Sequence, residues 1–318
     1  MKKVYYLLIL VVFVLGLSAC NNNSAKETYI DTYQDLLDAN SYEVTSSFSL
    51  NIQADPMPDD QDVQMVLELL NNAEITAESR VDMEQGISEV ILSLQTNQGP
   101  LSFNLDIPIH IDDNNEQLYI KTDVLNDVME LFPVMPLPAD FSFEKEFIEL
   151  DVYSDLDNED QKMLEQQYRK EMNSLFDQLP EENFQENDNV FELNIEGDQI
   201  KQLLVTLIES TIEHSGEILD PADKQELEHV IEQITFTTFT IQSKIENGQL
   251  QNEKVSFGLE AEEGHEKVNI DISVINSYSK INEAIDFALE PTEENTMTQR
   301  ELEQLISEMM MEMMFHPY

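Results

Sequence analysis

Three features of the sequence predict an α+β fold: a large curved antiparallel β-sheet, half-barrel-like, with helices packed on its apolar face. The first is period-two alternation over long stretches. Tyr42, Val44, Phe48, Leu50 and Ile52 alternate with Glu43, Thr45, Ser47, Ser49, Asn51 and Gln53. Such a strand buries one face and wets the other, which favours antiparallel pairing. The second is a set of amphipathic segments, with apolar residues three and four apart, lying between the strands. They supply the cover that a one-sided sheet requires. The third is an order of strand, helices and meander that occurs twice, without a residue-level repeat.

Taken in order, 21–26 is a short polar tether and 27–39 an amphipathic helix carrying Tyr29, Ile30, Tyr33, Leu36 and Leu37. The alternating strand from Tyr42 follows. After a Pro/Asp-rich turn and a short helix over 63–70, strands are predicted at 75–83, 88–94, 101–111 and 117–121. Leu101, Phe103, Leu105, Ile107, Ile109 and Ile111 place an unbroken apolar set on one face of their strand. Pro108 falls on the other face and cannot donate to a ladder, so an edge or a bulge is expected there. Asn-Gly-like turn chemistry is scarce, but Gln85-Gly86 and Gln98-Gly99-Pro100 punctuate the meander. Residues 124–131 read as a helix, 133–138 as a loop, 147–152 as a short strand and 158–179 as a long amphipathic helix. A polar, acidic stretch over 180–189 precedes the second series. It comprises a strand at 191–195, helices at 199–214 and 222–233, and strands at 234–245, 250–261 and 267–275. Residues 291–296 are linker-like. The last helix, 298–315, gathers Leu302, Leu305, Ile306, Met309, Met310, Met313 and Met314 into one apolar stripe.

The chain opens Met1-Lys2-Lys3, continues with an apolar run from Val4 to Leu17, and reaches Leu17-Ser18-Ala19-Cys20. A basic start, an apolar run of this size and small residues before a cut site are the parts of a secretory signal. A membrane-spanning helix needs roughly 20 apolar residues, more than this run offers before Asn21-Asn22-Asn23. Leu17-Ser18-Ala19-Cys20 resembles the bacterial lipobox. The resemblance implies cleavage before Cys20 and a diacylglyceryl group on its thiol. Each buried methylene contributes ~0.8 kcal/mol, and two acyl chains give a stable anchor. The expected organisation is a signal peptide over 1–19, a lipidated tether over 20–26, and a sheet-and-helix domain over 27–290 with halves at 27–180 and 190–290. A linker and Met-rich C-terminal helix complete it over 291–318. The mature chain is expected on the cell membrane, lipid-anchored and facing outside the cytoplasm.

The chain carries 16 basic and 65 acidic residues; without Lys2 and Lys3 of the leader the balance is 14 to 65. Nucleic-acid binding rests on Lys and Arg neutralising phosphates, and this balance excludes it. Adhesion to an anionic surface is disfavoured except through bound cations. The acids are spread along the chain, as on a solvated surface, and salt or cations relieve their repulsion. A saline or alkaline habitat is expected. Cys20 is the only cysteine, so once lipidated it leaves no thiol for a disulfide, a zinc site or nucleophilic catalysis. Stability must then come from an apolar core, and the chain is long enough to build one.

No catalytic residue, cofactor or metal is expected. His110, His214, His229, His265 and His316 form no His-Glu-x-x-His pair, and no Gly-x-Ser-x-Gly elbow occurs. His110 falls on the polar face of its strand and reads as a surface residue; His214 and His229 read as helix-end or helix-surface residues. Ser277-Tyr278-Ser279-Lys280 matches Ser-x-x-Lys, but it follows a strand and lacks the partner motifs. Asp112-Asp113-Asn114-Asn115-Glu116 and Asp155-Leu156-Asp157-Asn158-Glu159-Asp160 are oxygen-rich. An EF-hand needs glycine at the sixth position and glutamate at the twelfth, where the second loop has Asp160 and Gln166, so only weak calcium binding of another kind stays open. The Met309–Met314 tail with His316 offers soft copper(I) ligands. Four of its five methionines lie on the apolar stripe, however, where Met is a flexible filler. A core-capping or partner-binding helix is the stronger reading.

A leading helix running into a long alternating strand, Asp35-Leu36-Leu37-Asp38-Ala39-Asn40-Ser41-Tyr42-Glu43-Val44, resembles the start of the LolA/LppX-like lipoprotein superfamily. The resemblance covers about residues 27–285 and rests on element order; no signature residue is carried over. It implies a half-barrel whose helices cover an apolar cavity, in a family several members of which carry lipid or acyl chains. The expected function is therefore a non-enzymatic envelope lipoprotein that binds or carries a lipid or another hydrophobic molecule. The alternative is an envelope interaction protein that offers its acidic surface and C-terminal helix to a protein partner.

Overall fold

The computed structural model describes residues 24–55, 61–98, 101–131, 143–150, 166, 169–170, 172–201, 205, 231, 233–263 and 266–315. The leader with Cys20, the loop over 133–138 and the Asp155–Asp160 loop lie outside them, as do His214, His229, His265 and His316.

Twelve strands form one sheet: β1 Ser41–Asp55, β2 Glu74–Asp82, β3 Ile87–Gln98, β4 Leu101–Asp112, β5 Gln117–Lys121, β6 Phe147–Leu150, β7 Phe184–Asn187, β8 Val190–Asn194, β9 Ile234–Glu246, β10 Gln249–Glu263, β11 Glu266–Ser279 and β12 Thr296–Thr298. Their order is β12-β6-β5-β4-β3-β2-β1-β11-β10-β9-β8-β7, curved and unclosed. β1 is central, with a β1–β6 meander on one side and β7–β11 on the other. Every described pair is antiparallel except β12 on β6. The fold is the α+β sheet that the alternation predicts.

Register converts alternation into two faces. Val44 opposes Tyr278, Phe48 opposes Val274 and Ile52 opposes Ile270. On the other side Phe48 meets Ile75, Ile75 meets Leu94 and Leu94 meets Leu105. A slip of one residue would turn this apolar set into water, so the register is strongly specified. Pro108 pairs across from Ile91 on β3, while β5 reaches only Ile109–Asp112 of β4. The proline thus stands where β4 has lost its second neighbour, the edge version of the expectation. Where β2 ends, the Asn71 side-chain amide takes over its role, bonding both the N–H and the carbonyl of Ile52.

Two hairpin signals escape the sequence reading. β9 and β10 turn on Asn247-Gly248, both at positive φ, and β7 and β8 on Asp188-Asn189, likewise. This is the primed turn that matches strand twist. Two short strands were also missed. β7 lies in the stretch read as merely polar, and β12 overlaps the linker.

Helix α1, Ala25–Leu37, starts at a capping box in which Ser24 and Glu27 accept each other's amide hydrogens. Such a cap contributes ~1 kcal/mol. α2 spans Gln61–Asn72 and α3 Asp123–Leu131. The described residues of α4 lie between 166 and 178. α5, Gln299–Phe315, is capped by Thr298 and Glu301, and the Thr298 amide and hydroxyl hold the Glu301 carboxyl below its ordinary range. Among the described residues, no helix is long and apolar enough to cross a membrane.

Residues 280–295 form a strap that leaves β11 at the centre of the sheet and crosses the polar face to place β12 beside β6. Its Ile285 and Leu289 are buried. The buried Glu89 carboxylate of β3 accepts from the Ala288 and Leu289 amides at 2.8 and 2.6 Å. Arg80 stands 3.3 Å from the same carboxylate. His110 Nδ1 lies 3.6 Å away with no hydrogen-bond partner. His110 does occupy the polar face, but it is buried rather than superficial. The strap covers it.

Candidate functional site

One end of the apolar face is filled. α1 lays Tyr29, Thr32, Tyr33 and Leu36 onto it, and α4 adds Met172 and Phe176. The rings meet edge-on: Tyr29 with Phe176 at 6.0 Å, Tyr29 with Phe184 at 5.5 Å and Tyr33 with Phe176 at 5.4 Å. The two helices also cap each other. Arg169 donates to the Leu37 carbonyl and pairs with Asp38 at the end of α1, while Lys26 donates to the Asp177 and Leu179 carbonyls at the end of α4. A cation at a helix C-terminus satisfies orphan carbonyls and complements the dipole.

Beneath α1 the apolar face is interrupted by a row of polar side chains across four strands. Ser243 of β9, Glu253 of β10, Asn276 of β11 and Ser46 of β1 are neighbours in register. All four are buried. Ser46 donates to Asn276 Oδ1 at 2.8 Å, Ser243 to Glu253 Oε1 at 3.3 Å, and Asn276 Nδ2 to Glu253 Oε2 at 3.5 Å. No cation pairs with Glu253 among the described residues, and burial pushes its carboxyl up to about 8 against the two hydrogen bonds. The Tyr29 hydroxyl is raised as well, first by burial and second by the charge available to Glu253. The Ser243 hydroxyl lies close enough to the Tyr29 hydroxyl to oppose that rise, while the Thr32 Oγ1 is buried without a hydrogen-bond partner.

Beyond this end the apolar face continues with a partial cover among the described residues. Leu50, Ile75, Leu92, Leu94, Ile107, Ile109 and Phe257 point to it by register and are half-buried, with Leu105 buried among them. Among the described helices, α2 packs against β1 and β3, and α3 against β4 and β5. α2 itself leaves Val63, Met65 and Val66 between 42% and 50% exposed. An open depression of about 600 Å³ lies along α4, and its described lining residues, Arg169, Asn173 and Asp177 among them, are polar.

The remaining sequence candidates are dispersed. Ser277 and Ser279 lie on the polar face of β11, and Lys280 turns back to Glu43 at 3.0 Å. In the Asp112–Glu116 turn, Asp112 accepts from the Asn115 amide and side chain, and Asn114 donates to the Gln85 carbonyl. Those atoms hold a hairpin. Among the described residues no group of three metal-binding side chains converges. Met309 is half-buried and Met311 exposed on α5. The polar row went unread in the sequence, although Ser46 and Asn276 each break the apolar set of their own strand. No protein-family model and no curated protein sequence matches this chain.

Proposed function

We propose that this is a non-enzymatic cell-envelope lipoprotein, anchored through lipid on Cys20, that holds a lipid or another hydrophobic molecule against the open part of its apolar sheet face. The observation that supports the reading is the half-buried state of so many aligned Leu, Ile and Phe side chains. Contiguous apolar surface of that kind marks a binding surface more often than a bare exterior. The resemblance to the LolA/LppX-like superfamily points the same way.

Native mass spectrometry of residues 21–318, purified from a bacterial host without detergent, tests it. Co-purifying lipid masses released on denaturation are expected. A clean mass that stays clean after incubation with membrane lipids would refute the reading. A second reading has one observation in its favour: among the described elements α5 packs mainly against β6 and β12, and its Leu302, Leu305, Ile306 and Met309 remain half-buried. In that reading the acidic surface and α5 engage an envelope protein. Deleting 298–318 would then abolish partner capture with the sheet still folded, and unchanged capture would rule it out.

A further inference from the structure

Basic side chains are scarce in this chain, and their placement is one-sided. Arg80 on β2, Lys121 on β5, Lys244 on β9, Lys254 on β10 and Lys267 on β11 all fall, by register, on the polar face. Four of them are engaged there: Arg80 with Glu43 and Glu89, Lys121 with Glu146, Lys244 with Glu246 and Lys267 with Glu260. No strand position on the apolar face among the described residues carries Lys or Arg. The helices across the open part repeat the bias. Of the described side chains, α2 has Glu68 and α3 has Asp123 and Asp127, and neither helix has a basic residue. The basic side chains of α1 and α4 that face each other, Lys26 and Arg169, are spent on helix ends at the filled side.

An amphiphile lying on this face would bury its tail among Leu and Ile and leave its head at the rim. Among the described residues, the helices beside this face bring carboxylates to it and no Lys or Arg. There an anionic head would meet like charge, whereas a cationic head would be attracted and would displace counterions. We propose that the molecule held against the open apolar face is a cationic amphiphile, an alkyl chain ending in an ammonium group. The proposal rests on the carrier reading and narrows its ligand class.

Isothermal titration of residues 21–318 with probes sharing one dodecyl tail separates the two. The probes are dodecyltrimethylammonium, dodecyl maltoside and laurate, all below micellar concentration, with tetramethylammonium as the tail-less control. The expected result is one saturable site for dodecyltrimethylammonium, about tenfold tighter than the maltoside and tighter still than laurate. The margin should shrink as sodium chloride is added. Tetramethylammonium should give no heat of binding at that site. Ala77→Phe, which fills the face beside Leu92, should weaken all tailed probes together; if that variant fails to fold, displacement of the ammonium probe by the maltoside identifies the shared site. Laurate or maltoside binding as tightly as the ammonium probe would overturn the charge preference and leave the carrier reading standing. Absence of saturable binding by every tailed probe, or multiple ammonium sites that neither Ala77→Phe nor maltoside affects, would overturn the carrier reading itself.

Discussion

Glu253→Gln isolates the one carboxyl that the fold keeps dry. The wild-type group titrates at about 8 in the folded protein, against an ordinary value of 4.5, because burial outweighs its two hydrogen bonds. As pH rises from 4.5 the unfolded chain gives up this proton first, while the folded protein holds it until pH 8. Stability from this residue is therefore fully present below 4.5 and lost progressively as pH rises through 8. At ~1.4 kcal/mol per unit, the loss reaches about 3 kcal/mol at pH 7 and about 5 kcal/mol above pH 8. That is a large part of the 5–15 kcal/mol typical of a folded protein, roughly speaking. The amide keeps the shape but adds a donor beside Asn276, a pH-independent offset of ~1 kcal/mol. Urea unfolding followed by circular dichroism, at fixed high salt from pH 5 to 9, should show the variant gaining on wild type by ~1.4 kcal/mol per pH unit up to about pH 8 and then levelling. All other acids are common to both chains, so their titration cancels in the difference. A difference that stays constant across that range would mean that the carboxylate is ionised or hydrated in the folded state, and the dry row under α1 would be wrong.

Three further outcomes are expected. Glu89→Ala removes the acceptor for the Ala288 and Leu289 amides and should destabilise by about 3 kcal/mol or more, with amide exchange accelerating first along the strap; unchanged exchange at 288–289 would show that Glu89 does not hold it. Gly86→Ala puts a Cβ 2.7 Å from Asn114 Nδ2 at a φ of +61°, and should cost about 1–2 kcal/mol in a thermal or urea melt. Added sodium chloride should raise the melting temperature, since the sequence has 65 acidic residues against 16 basic ones; a flat response would show that repulsion among them is already relieved.

Much of the sheet is legible in the sequence, because alternation is a local property. β5 starts and ends as expected at Gln117 and Lys121, and the strands from Tyr42, Ile75 and Leu101 carry their apolar sets on one shared face, as their pattern requires. β7 and β12 were invisible for a physical reason. At four and three residues they are too short for a periodic signal, and they exist because a longer strand offers an edge to pair with. Asn247-Gly248 is different: its turn chemistry was present in the sequence and simply outweighed by the long apolar runs on either side.

What covers each face was not legible, because the covers come from far along the chain. Glu89 is closed by amides 199 and 200 residues later, and α1 is clasped by α4 side chains and carbonyls more than 130 residues away. Ile241 and Ile107 show how little the strand itself decides. Each sits in an alternating run, each points to the apolar face, and each is flanked by apolar neighbours. Ile241 is buried because the Tyr29 and Phe176 cluster lies over it; Ile107, outside that cluster, is half-buried. A buried polar residue reads as a flaw in the pattern only until its cover is known. Glu253, on the apolar face under a helix, and His110, on the polar face under a strap, are two such cases. Each marks a place where a distant segment must dock for the local sequence to make physical sense.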